Sequence, residues 1–391
     1  MKRLKSLALA SVCGLGSAAA TTPALADALP TPSMSASLSA NTSPFSVELP
    51  DWFGDAGGKI YVGGAVTGMA YVQSDAIHNG VGSADTFLDL TNGQVFIQKT
   101  DGWLQFFVDA GAYSFPTVGY PYVDSVNASH AFGYVPVAYA KLVGSGDWSS
   151  FSIEGGKLPT LIGDEYGFTY QNLNIERGLV WNNEPIVSRG VQANYSAGPI
   201  NVSVSWNDGT YTNEWSSFSA LASYAFNGGA DTVAVAGGGN TETAKAANFF
   251  RFGALSMGSQ FNFIYTHTSG PWTISPYFQY NSTPGFAFGG GHVNGSSAYA
   301  GALLVNYAVN DNWKLAARGE YESESHGLDL FGYGSGSNAW SITVTPTYQY
   351  KIFFARVEGS YVGLGSASSG FGSSGTSSSQ FRGLIEAGVL F

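Results

Sequence analysis

Charge is scarce in this chain, so the places where it gathers carry whatever chemistry there is. Between Lys157 and Arg189 the sequence sets Asp164, Glu165, Glu176, Arg177 and Glu184. Carboxylates and guanidiniums this close either pair with one another or hold a field across a gap that polar solutes would feel. A second set recurs at even spacing: Lys314, Arg318, Glu320 and Glu322, then Arg356 and Glu358, then Arg382 and Glu386, with Asp109 earlier. Catalytic groupings are weaker. The five histidines, His78, His130, His267, His292 and His326, show no metal-ligand spacing, so neither a metal nor a cofactor is expected. Gly370 to Gly375 fits G-x-G-x-x-G but lies in a Ser/Gly-rich stretch with no helix behind it. No nucleophile-elbow motif surrounds a serine. A serine–histidine lipase built around His267 stays open, because triads assemble in space and not in sequence.

The elements that must position these charges are strands. In Gln380 to Phe391, Phe381, Gly383, Ile385, Ala387, Val389 and Phe391 share one face, and Arg382 and Glu386 take the other. A period of two means a strand. The same split recurs in Trp340, Ile342, Val344, Pro346 and Tyr348 against Ser341, Thr343, Thr345, Thr347 and Gln349, and again around Arg318, Arg356 and Asp109. The polar faces carry too little charge to be the outside of a soluble sandwich. Apolar faces toward lipid and polar faces toward a wet interior fit better.

Short connections with turn chemistry, such as Thr100-Asp101-Gly102, Ala197-Gly198-Pro199, Ser269-Gly270-Pro271 and Asn310-Asp311-Asn312, alternate with long ones near 74–85, 114–130, 158–187, 208–214, 238–257, 282–295, 324–337 and 363–379. The fold class expected is all-β: a transmembrane, antiparallel up-and-down β-barrel of about sixteen strands, periplasmic at its short turns. Weak segments at Thr232–Gly237 and Phe87–Lys99 leave fourteen and eighteen strands open.

Composition agrees, with 52 glycines, 15% aromatic and only 11% charged residues, against about a quarter charged in soluble domains. Lys2, Arg3 and Lys5, an apolar run to Ala20 and Ala24-Leu25-Ala26 read as a signal peptide over residues 1–26. A flexible Pro/Ser-rich leader follows over 27–58, then the barrel over 59–391. Removing 1–26 takes the formal charge from −11 to −14, since three basic and no acidic residues are lost. That disfavours nucleic acid and suggests a mild cation preference.

The stretch from Gly156 to Gly190 is the most specific. Its Gly156-Lys157, Thr160, Gly163, Glu165, Asn172, Asn174, Arg177, Pro185 and Gly190 resemble the central motif of the OmpL-like family of bacterial β-barrel porins, and terminal Phe391 resembles the assembly signal of outer-membrane proteins. The resemblance implies an outer-membrane porin but names no solute. It also implies outer-membrane lipids, lipopolysaccharide and the barrel-assembly machinery as surroundings. The expectation is then a passive channel for small hydrophilic solutes or ions, with Lys157, Asp164, Glu165, Glu176, Arg177, Glu184 and Arg189 at a constriction. Asp109, Lys314, Arg318, Glu320, Glu322, Arg356, Glu358, Arg382 and Glu386 would face the lumen. The alternatives are a plugged structural or binding barrel and, further off, the lipase.

Overall fold

The computed structural model describes residues 35, 37–39, 44–76, 84–209, 212–241 and 258–391. The expected signal peptide, residues 27–34, 36 and 40–43 of the leader and His78 lie outside them. The barrel strands are β1 Lys59–Gln73, β2 Thr86–Lys99, β3 Leu104–Tyr113, β4 Val137–Val143 and β5 Phe151–Pro159. They continue as β6 Val187–Ala197, β7 Ile200–Asn207, β8 Ser217–Phe226, β9 Asp231–Asn240, β10 Ser259–Ser269 and β11 Trp272–Thr283. The last five are β12 Ser296–Ala308, β13 Trp313–Glu324, β14 Asn338–Tyr350, β15 Phe353–Leu364 and β16 Ser379–Leu390. Each pairs antiparallel with the next, and β16 pairs with β1, Arg382 opposite Gln73 and Leu390 opposite Ala65. The sixteen strands thus form a closed barrel with no free edge. Both segments that read weakly in the sequence are full strands, β2 and β9.

The alternation decides which side of the wall each residue occupies. On β14, Ser341, Thr343, Thr345 and Thr347 are buried inside, while Trp340, Ile342, Val344 and Tyr348 stand exposed on the outer face. On β16, Phe381 and Ile385 face out, and Arg382, Leu384 and Glu386 face in. Aromatic pairs ring both ends of the outer surface. Trp272–Tyr307 and Trp313–Tyr348 lie at the short-turn rim with centroids 4.5 and 5.0 Å apart, and Trp340–Tyr361 at the long-loop rim. This is where amphipathic rings settle at membrane interfaces.

The barrel is not an empty tube. The segments 114–136 and 160–186 turn inward and meet through a parallel bridge between Thr117 and Arg177. Helix α1, Ser125–Phe132, is capped by Asp124 and ends the first of them. The leader is more ordered than its composition suggests. Phe45–Glu48 pairs with the start of β1, Ser39 bonds the Gln349 side chain, and Leu38 is buried beside Ala65, Phe354 and Leu390. Farther up, the Ser35 amide donates to the Gln171 carbonyl of the inserted segment.

Candidate functional site: the inserted loop and the lumen wall

The 160–186 loop is built by its own short-range bonds before it meets the wall. Thr160 Oγ1 accepts from the Ile162 amide at 3.0 Å. The Asn172 side chain accepts from the Tyr166 amide and donates to the Tyr166 and Phe168 carbonyls. These bonds satisfy backbone groups that a buried loop would otherwise leave unpaired. Apolar residues then fix its depth: Leu161, Leu173 and Val180 pack with Leu221, Ile264, Tyr277 and the inward alanines of β9 and β12.

The charged groups lock it to the opposite wall. Arg318 of β13 donates to Glu165 at 2.6 Å, to its neighbour Glu320 at 3.0 Å and to the Glu176 carbonyl at 2.8 Å. Arg382 of β16 reaches the Glu176 carboxylate at 2.7 Å. Arg356 of β15 pairs with Glu386 and donates to the Thr169 and Asn172 carbonyls. Glu358 completes the set by accepting the Ile175 and Glu176 amides. The side chains of Arg318, Arg356, Glu386 and Glu176 have no exposed surface. Charges removed from water so fully persist only with partners and hydrogen bonds.

Arg177 is held differently. Its guanidinium lies 5.1 Å from the Phe115 ring centroid and 4.9 Å from that of Trp181, and it donates to the Ser114 carbonyl at 3.2 Å. Burial lowers its pKa to about 9, against the pull of Glu165. Asp164 accepts from Ser275 at 2.8 Å, and burial pushes its carboxyl up to about 6. Burial likewise raises Glu184, which Tyr277 holds by a short hydrogen bond. Asp109 faces in and takes the Gln94 amide. Lys314 occupies the same inward parity near the short-turn rim. Glu322 is fully buried, and neither of its carboxylate oxygens has a hydrogen-bond partner among the described residues.

Lys157 and Arg189 require a correction. They are register partners on the parity of the outward-facing Ile153 and Val191, at the long-loop end of β5 and β6, so they flank the loop from outside the lumen. Lys157 donates to the Phe132 and Val135 carbonyls, and Arg189 pairs with Asp208 at 2.7 Å. His267 lies on the outer face near a short turn, with Nδ1 at 2.6 Å from Asp231, and no serine hydroxyl bonds it among the described residues. No group of three His, Cys, Asp or Glu among those residues could hold a metal ion.

Sequence reasoning missed the wall hydroxyls that finish the network. Ser341 donates to Glu320, Ser360 to Glu176, and Thr345 takes the Asn174 amide while donating to Glu358. Ser341 and Thr345 belong to the Ser/Thr face of β14, and Ser360 takes the inward parity of β15.

Known structures of like shape are outer-membrane proteins. They include the channel DcaP of Acinetobacter baumannii (TM-score 0.56, 12% identity, 85% of this chain and 97% of that one) and Salmonella typhi OmpF in complex with daunomycin (0.55, 13%, 88% and 100%). OmpT, an outer membrane protein of Vibrio cholerae, aligns with TM-score 0.55 and 13% identity over 85% of this chain and 98% of that one. At these identities the likeness speaks for the fold alone. No curated protein matches the sequence. The model of the family described as "Putative beta-barrel porin-2, OmpL-like" matches residues 59–391, every strand of the barrel, and the chain belongs to that family.

Proposed function

We propose that this protein is a passive outer-membrane channel for small hydrophilic solutes, narrowed by the 160–186 loop, with no catalytic step. One observation carries the reading: the longest loop is drawn into a polar-lined, closed barrel and bolted to one side of it by Arg318, Arg356 and Arg382. A loop of this length exceeds what joining β5 to β6 requires, and such excess usually serves function. Its apolar residues also pack against β8 to β11, and a polar pocket remains between the loop and β6 to β11, lined by residues such as Gln192, Asn207 and Asn281. Asp164, Glu165, Glu176, Arg177 and Glu184 would set the constriction. Outside, the apolar band would meet lipid, and Phe391 would serve assembly.

The complete burial of Arg177, Arg318 and Arg356 favours a second reading, a barrel too tightly filled to conduct. Planar-bilayer recording separates the two. The channel reading expects steady, stepwise currents in KCl from the folded protein; a membrane loaded with folded barrel that passes no steady current would overturn it.

A further inference from the structure

The charged side chains of the lumen occupy only part of its circumference, on β13, β15 and β16 and, as Asp89, Asp109, Lys141 and Glu154, on β2 to β5. Arg318, Glu320, Glu322, Arg356, Arg382 and Glu386 all project from β13, β15 and β16. The inward faces of β6 to β11 carry none among the described residues: Arg189, Asp231 and His267 stand on the outward parity. Their inner positions are amides and hydroxyls interspersed with Leu221, Ala234, Ala236, Ile264 and Tyr277. The pocket beside the loop is lined from this half, by Gln192, Ser205, Asn207, Ser219, Gln260 and Asn281 among others, and by no charged residue among the described residues.

We infer that this lane binds uncharged, hydroxyl-rich solutes of the small-sugar class, a conclusion resting on the porin reading, and that the charged wall is scaffolding for the loop. Two groups on lining residues have no hydrogen-bond partner among the described residues, the Asn281 Oδ1 acceptor and the Asn183 Nδ2 donor, each on a residue at least nine-tenths buried. A sugar hydroxyl both donates and accepts, so it meets an unmatched acceptor and an unmatched donor equally well. An ion entering the same space would shed water and find no counter-charge among the described lining residues. The loop acids that approach this wall do so nearer the short-turn end, Asp164 at Ser275 and Glu184 at Tyr277, and both are hydrogen-bonded. Burial also raises both carboxyls toward neutrality.

The test is saturation-transfer NMR on the detergent-folded full barrel with glucose and sucrose, and with gluconate as the charged comparator. Transfer to the neutral sugars is expected, with little to gluconate. Asn281→Leu should weaken it about fivefold, the size of one lost hydrogen bond. Ser219→Ala is a milder second variant should the first misfold. Gluconate binding as well as glucose, sugar signal absent, or both folded variants unaffected would each overturn the inference. A barrel that binds sugar yet passes no current would overturn the porin reading and leave this site standing.

Discussion

Arg382 and Glu176 lie 206 positions apart in sequence and 2.7 Å apart in space, joining the strand that closes the barrel to the loop folded inside it. Neither has appreciable exposure, 4% and 0% of the side chain. Removing one partner of such a pair leaves a buried, uncompensated charge, typically at ~3–5 kcal/mol. Glu176→Gln should therefore lower the thermal midpoint of the detergent-folded barrel. A double-mutant cycle with Arg382→Met should show coupling of about 0.5–3 kcal/mol. Additive single effects would mean that the pair does not hold the loop.

Gly178 carries the next prediction. A Cβ there would sit 2.0 Å from Glu320 Oε1, the atom that accepts the Val180 amide, while the other oxygen takes Arg318 at 3.0 Å. Gly178→Ala must push the carboxylate off both, an overpacking cost of about 1–3 kcal/mol. Current recordings should become noisier, with more subconductance events. A trace indistinguishable from the parent would show that Glu320 does not fix the loop.

The Asp164 carboxyl sets a pH dependence. Its pKa is raised from 3.8 to about 6 by burial, so between those values the folded protein keeps a proton that the unfolded chain releases. Its contribution to stability is whole below pH 3.8 and is lost as pH rises through about 6. Asp164→Asn should flatten the fall in thermal midpoint between pH 4 and 7. A steeper fall in the variant would reverse the sign and contradict the assignment.

Phe391 closes the seam. Its amide donates to the Gly64 carbonyl at 3.0 Å and its carbonyl accepts the Gly64 amide at 2.8 Å. Deleting Phe391 should leave export intact while reducing the heat-modifiable, membrane-inserted fraction several-fold. Unchanged insertion would show that the terminal residue matters neither as seam nor as signal.

The barrel was legible because a period of two survives in nearly every strand and turn residues mark one rim. Strand parity alone placed Arg318, Arg356, Arg382 and Glu386 inside. What parity could not give is contact across the lumen. Spacing leaves Glu165 and Glu176 open to pairing or to setting a field; each has an arginine partner on the wall, which narrows the basis for a cation preference. Lys157 and Arg189 were grouped with the loop by proximity in sequence, although their parity already pointed outward. Ser35 to Ser39 looked like featureless leader because a few buried contacts, such as Leu38, leave no periodic trace. The Phe115 and Trp181 cradle of Arg177 joins two loops through space, which spacing along one chain does not reveal.

Whether the 160–186 loop is the constriction is read from single-channel conductance of a barrel in which residues 163–184 are replaced by a short Gly/Ser link. A steady conductance several-fold above the parent is expected, with the barrel still folded by its β-type circular dichroism. Equal conductance in parent and variant would contradict it.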